Sequence, residues 1–189
     1  MVERTQEIDE IKQQIQEVMA KDKDNLPPKS APLIEEALKK VLAENISLKE
    51  ALGFSEDIIE EIYEQGYHLF QSGKYQAALP LFSLLNLLES TNPRFIFAIA
   101  ACHHHAKDYA AAAGYYMLYE GVDPVNPLPY YHLYDCFRQL GYPQLAHSAL
   151  NLADRLAGDD PKYAEMKGKI ELELTHLKGG SQEKQELAT

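Results

Sequence analysis

Sulfur is scarce in this chain: among 189 residues only Cys102 and Cys136 carry a thiol. Two cysteines do not make a disulfide scaffold, and their number fits a reducing compartment. No run of roughly 18 apolar residues occurs, so no membrane-spanning helix is expected. The opening MVERTQEIDEIKQQ is charged and lacks the apolar core of a signal peptide, so the chain is expected to stay in the cytosol. Positive charge is also short. Residues 53–161 hold 13 Asp and Glu against 5 Lys and Arg, and so carry most of the net charge of −11. Phosphate binding needs a basic stripe, so nucleic acid is excluded as a partner, whereas a basic or apolar protein segment is compatible. Catalytic signatures are missing too: no nucleophile elbow, no phosphate-cradling glycine loop and no HExxH. Acidic pairs such as Glu60-Glu61 and Asp159-Asp160 sit at exposed helix ends and read as solvation and capping. Neither an enzyme nor a cofactor is expected.

What the chain has is a period. Asn92-Pro93, Asn126-Pro127 and Asp160-Pro161 recur every 34 residues, in phase with Ala78, Ala112 and Ala146 and with Tyr75, Tyr109 and Pro143. That is the length of the tetratricopeptide helix-turn-helix repeat, whose copies stack into a curved array with a concave face. Each Asn or Asp is an N-cap and each Pro takes the first helical position, where a missing N–H does no harm. The expected fold is all-α: a superhelix of three repeats (59–92, 93–126 and 127–160) with flanking helices. Turns fall at Gly73-Lys74, Lys107-Asp108 and Gly141-Tyr142. Small residues at Gly66 and the three phased alanines admit a neighbouring helix, and Phe82, Tyr116 and Leu150 are the large knobs one turn later. Tyr134 stands where Gly66 and Ala100 stand in the other repeats, so repeat three is expected to be looser there. Pro80 removes one backbone hydrogen bond inside the second helix of repeat one.

Outside the repeats, residues 1–32 read as a polar arm. It comprises a helix over 3–21, with a narrow stripe of Ile8, Ile11, Ile15 and Val18, and a proline-bearing linker. Residues 33–58 hold a helix over 33–52 and a link, with Ser55 as the next N-cap. The apolar face of that helix, Ile34, Leu38, Val41 and Leu42, is a candidate surface for a weak homodimer. Residues 161–178 are expected to cap the stack, and 179–189 to form a disordered tail.

In such repeats the first helix of each pair lines the concave face. The candidate groove is Tyr63, Tyr67 and Phe70 in repeat one, with Glu60 just ahead of them. Repeat two supplies Arg94, Phe97, Ala101 and His104, and repeat three Leu128, Tyr131, Asp135 and Arg138. Tyrosine and phenylalanine offer large contact areas with few rotors to freeze. Cys102-His103-His104-His105 invites a metal reading, with His132 and Cys136 as further ligands. Consecutive histidines point apart on a helix, and the two cysteines recur in phase, so packing is the preferred reading and no metal is assigned.

The segment from Tyr63 to Leu156 carries QSGKY at 71–75, NPRFIF at 92–97, AAC at 100–102 and YDCFRQLG at 134–141. It resembles the class II chaperones of bacterial type III secretion, the LcrH/SycD-like chaperones of translocator proteins. The resemblance implies a bacterial cytosolic chaperone that keeps hydrophobic translocators soluble. The client would enter as an extended, proline-containing segment with its apolar side chains in the groove. In that family the helix ahead of the repeats often mediates homodimers. The alternative is a repeat scaffold joining a regulator or a secretion-apparatus subunit; a scaffold for acidic tails would need several groove cations, and only Arg94 and Arg138 qualify.

Overall fold

The computed structural model of the chain describes residues 31–186, with side chains described for 35–175. The helices are α1 (Ala31–Glu44), α2 (Leu48–Ala51), α3 (Glu56–Gln71), α4 (Tyr75–Leu88), α5 (Pro93–His105), α6 (Tyr109–Glu120), α7 (Pro127–Gln139), α8 (Pro143–Ala157) and α9 (Ala164–Glu186). A short 3-10 turn, Pro161–Tyr163, precedes α9, and among the described residues every element is helical. The chain divides into two compact units, Met1–Glu61 and Ile62–Thr189. The helix expected over 3–21 lies outside the described residues, as does most of the linker.

In the first unit the helix expected over 33–52 is two helices. α1 starts at Ala31, inside the expected linker, which puts Pro32 in the first turn where its missing N–H is harmless. The chain then breaks at Asn45, which takes a left-handed backbone with φ 54°. Ser47 opens α2 with a capping box: Glu50 N–H donates to Ser47 Oγ at 3.2 Å, and Ser47 N–H donates to Glu50 Oε2 at 2.9 Å. The apolar run from Ile34 to Leu52 is therefore not one continuous face. Leu38, Val41 and Leu42 sit half-buried on α1, on the same helix as Ile34. The exposed pairs Glu35–Lys39 (2.7 Å) and Glu36–Lys40 (3.2 Å) brace that helix at i,i+4.

The second unit is built on the 34-residue phase. Asn92 Oδ1 accepts from Arg94 N–H, and Asn126 Oδ1 accepts from Leu128 N–H, each at 3.1 Å. Pro93 and Pro127 are the first residues of α5 and α7. Asp160 caps in the same way, accepting from Lys162 N–H at 2.9 Å, but it opens the 3-10 turn, and α9 begins only after that turn. The phased small residues are buried: Ala78 and Ala112 are 0% exposed, and the knobs Phe82, Tyr116 and Leu150 expose at most 1%. Gly66 is small because a Cβ there would lie 2.7 Å from the Phe82 ring, closer than packed atoms approach.

Tyr134 does not loosen repeat three. Its ring is buried and its hydroxyl donates to Glu173 of α9 at 2.7 Å. Burial, with the Glu173 carboxylate beside it, pushes the phenol up to about 12. α4 runs unbroken through Pro80, whose side chain is exposed. α9 continues past residue 178 and through Gly179-Gly180 to Glu186, over residues expected in a disordered tail. Two glycines cost a helix about 1 kcal/mol each, and the good helix formers Gln, Glu and Lys come after them. Among the described residues no helix is long and apolar enough to cross a membrane.

Candidate functional site

A cavity of about 500 Å³ opens on the first helices of the repeats. That is the size of a side-chain-binding cleft. α3 contributes Tyr63, Tyr67 and Phe70, and α5 contributes Arg94, Phe97, Ala98, Ala101, His104 and His105. Phe82, Tyr109, Tyr116 and His132 close it from α4, α6 and α7, and Lys107 stands in the turn after α5. Residues 63, 67 and 70 share one side of α3, as 94, 97, 98, 101, 104 and 105 do on α5, because steps of three and four return to the same helix face.

The walls are rings held by rings. Tyr63 stacks on Tyr67 (6.3 Å between centroids, 8° between planes) and meets Phe82 and Phe95 at a tilt. The Arg94 guanidinium lies 4.2 Å over the Tyr63 ring, a cation–π contact. His105 is held between Phe70 and Tyr75, each 5.1 Å away. Phe97 sets its edge against Tyr116 (5.5 Å), Tyr119 (5.9 Å) and His132 (5.6 Å).

Polar groups at the floor engage one another. His104 donates Nε2–H to Asp135 Oδ2 at 2.9 Å, which leaves Nδ1 to accept from the Tyr116 hydroxyl at 3.4 Å. Asp135 also accepts from Arg138 (3.1 Å) and Gln139 (3.3 Å). Burial alone would raise the Asp135 carboxyl; the hydrogen bonds from His104, Gln139 and Arg138 outweigh it and hold the carboxyl below its ordinary value. Burial drives His132 down to about 4, helped by the neighbouring His104 and His105 and opposed by Asp135. His105 is lowered for the same reasons, burial first and then His104.

Of the residues expected in the groove, the structure gathers Tyr63, Tyr67, Phe70, Arg94, Phe97, Ala101 and His104 around this cavity. Leu128, Tyr131, Asp135 and Arg138 are not among its lining residues. Leu128 and Tyr131 pack against the buried core cluster instead. Asp135 is taken up by His104 and its own helix, and Arg138 reaches back to Asp135 and lies 5.7 Å over the Tyr134 ring. His132, one residue beyond Tyr131, is what repeat three supplies. Ala98 and His105 lie on α5 beside the expected stripe, which is too narrow at one residue per turn, while Phe82, Lys107, Tyr109 and Tyr116 lie off the first helices altogether and His132 depends on the rotation of α7. The broader pattern i, i+1, i+4, i+7, i+8 at 97, 98, 101, 104 and 105 would have found two of them. Cys102 and Cys136 are buried free thiols, raised by burial to about 11 and about 12. Among the described residues no three His, Cys, Asp or Glu side chains are arranged to hold a metal ion.

No family model matches the chain. Low calcium response locus protein H of Yersinia pseudotuberculosis is 30% identical over 124 residues, covering 66% of this chain and 74% of that protein. The translocator chaperone SycD of Yersinia enterocolitica, solved in complex with a peptide of the translocator YopD, superposes with a TM-score of 0.65 at 28% identity. That match covers 68% of this chain and 98% of SycD. SycD has also been solved as an alternative dimer. PcrH, a Pseudomonas aeruginosa protein, solved with the chaperone-binding region of PopD, gives a TM-score of 0.65 at 26% identity, over 68% of this chain and 97% of PcrH.

Proposed function

This chain belongs to the low calcium response locus protein H family of type III secretion translocator chaperones, and we propose that its aromatic cavity holds an extended, proline-containing segment of a hydrophobic translocator. The observation that carries this is the continuous ring-lined cleft formed by Tyr63, Tyr67, Phe70 and Phe97 on successive first helices. An extended proline segment is already stiff, so it loses little entropy on binding, and its apolar side chains fill the gaps between rings. The protein thus acts before export, in the bacterial cytosol, by covering surface that would otherwise aggregate. The reading is non-enzymatic. His104 and Asp135 are engaged with each other, and no serine, threonine or cysteine is among the cavity's lining residues.

Co-expression with the secreted hydrophobic proteins of its own source, followed by co-purification, identifies the client. Calorimetry with the client's extended segment then tests the groove. Tyr67 is 45% exposed, so Tyr67→Ala is expected to weaken binding by about 1–3 kcal/mol and leave the melting temperature nearly unchanged. Phe97→Ala is expected to weaken binding comparably and also to lower stability, because its ring packs against Tyr116 and Tyr119. Gln76→Ala, exposed and outside the cavity, should do neither. Parent-like affinity in both ring variants would place the partner elsewhere. Co-purification with folded proteins alone would favour the scaffold reading.

The α1 face of Leu38, Val41 and Leu42, with Ile34 on the same helix, is the surface we assign to a weak homodimer, in keeping with the dimeric form of SycD. Removing residues 1–52 is expected to lower the mass measured by light scattering at high protein concentration to roughly a third of the full-length dimer's, rather than to the roughly seven tenths that a persisting truncated dimer would show. A full-length protein that is monomeric throughout would end this assignment.

A further inference from the structure

In each repeat the turn between the two helices takes one left-handed residue. These are Gly73 (φ 74°), Lys107 (φ 63°) and Gly141 (φ 80°), spaced by the repeat length. At both glycines nothing lies within 4 Å of where a Cβ would stand, so glycine is there for the backbone and not for room. Lysine adopts this conformation less readily than glycine, because its Cβ crowds the following carbonyl oxygen. Repeat two therefore carries a strained residue where its neighbours carry the relaxed one, and Lys107 is among the residues that line the cavity. Strain of this kind points to a use for the side chain.

A second observation bears on what that use is. Residues 53–161 hold 13 acidic and 5 basic side chains, yet Arg94 and Lys107 line the cavity and no Asp or Glu is among its lining residues. Arg94 and Lys107 are two of those five. Two acids beside lining residues are engaged elsewhere: Asp108 accepts from Ala111 N–H (3.3 Å) and faces His103 Nδ1 (3.2 Å), and Asp135 is held by His104 and Arg138.

We propose that Lys107 is a specificity residue that receives an Asp or Glu side chain of the client segment, next to the apolar anchors seated among the rings. This rests on the client-groove reading above. A lysine at the end of α5 also favours the helix dipole. Lys107→Gly removes the backbone strain under either role, so binding tells them apart: a lysine that serves only the dipole leaves any preference for an acidic client side chain unchanged when it is replaced.

The experiment uses the full chain, its Lys107→Gly variant and a set of synthetic Pro- and Leu-rich peptides. One glutamate is walked along the frame, each peptide has a glutamine twin, and binding is measured by calorimetry at low and high salt. The parent is expected to prefer at least one glutamate peptide over its twin by about fivefold at low salt, the size of a favourable exposed charge pair. High salt should erase that preference. In Lys107→Gly the ratio should fall to near one. An unchanged ratio overturns the assignment and leaves the groove standing. A parent that binds none of the peptides removes the groove reading and the lysine's role together.

Discussion

Tyr116→Ala is expected to lower the stability of the repeat unit by about 3–5 kcal/mol, the usual cost of deleting a buried aromatic ring. The ring exposes 1% of its surface, stacks on His132 at 5.2 Å and 10°, and takes the edge of Phe97 at 5.5 Å. It belongs to both the core and the cavity floor, so its loss removes a ring contact from neighbours on both α5 and α7. Burial, with Cys136, Cys102 and Asp135 near, pushes the phenol far up, so its hydroxyl remains a proton donor to His104. Tyr116→Phe keeps the ring and loses one long hydrogen bond, for about 0.5–1.5 kcal/mol. Urea midpoints with a common slope separate the two. Equal losses in the Ala and Phe variants would mean that the hydroxyl, and not the packing, carries the residue's weight. Because domains of this kind are stable by only about 5–15 kcal/mol, that loss removes a large share of the margin against unfolding.

Acid should weaken the fold through a buried histidine. His132 holds a folded value of about 4 against an ordinary 6.5. Between those values the unfolded chain binds a proton that the folded chain refuses, so stability falls as pH drops from about 6.5 toward 4 and then levels off for this group. The full difference is about 3 kcal/mol. His105, lowered by burial and by His104, adds in the same direction. Asp135, held low, loses its contribution only at more acid pH. Denaturation at pH 7 and pH 4.5 is expected to show a marked loss in the parent. In His132→Phe, whose ring can keep the contacts with Tyr116 and Phe97, that loss should be much smaller. The same loss in both would assign the acid sensitivity to other groups.

Much of this architecture can be read from spacing because a helix start is a local event. Asn92-Pro93 and Asn126-Pro127 each need only their own side chain and the next amides, and α5 and α7 begin where those pairs stand. The break at 45–47 is local too. Ser47 and Glu50 spell a capping box, but the apolar run through Leu48 and Leu52 reads as one helix face and obscures it. The third repeat's share of the cavity was not legible for a different reason. Whether Tyr131 or His132 faces the cleft depends on a helix rotation set by tertiary packing, which a one-repeat template cannot supply. Tyr134, where smaller residues stand elsewhere, reaches to Glu173 of α9, thirty-nine positions along the chain, and no short-range pattern records such a contact.

That reach gives α9 a meaning beyond packing. Met166 and Ile170 enter the same buried cluster as Leu150, Ala153 and Ala157 of α8, and Glu173 is tied to Tyr134. A stack of repeats is by nature open-ended: each pair leaves an apolar side for the next, and a second molecule's first pair would serve as well as another repeat. Contacts of that head-to-tail kind do not close on themselves and grow into fibres. With α9 laid over the last pair, that route is shut. The last helix thereby keeps the stack finite, closing this end to growth by a second copy of the chain.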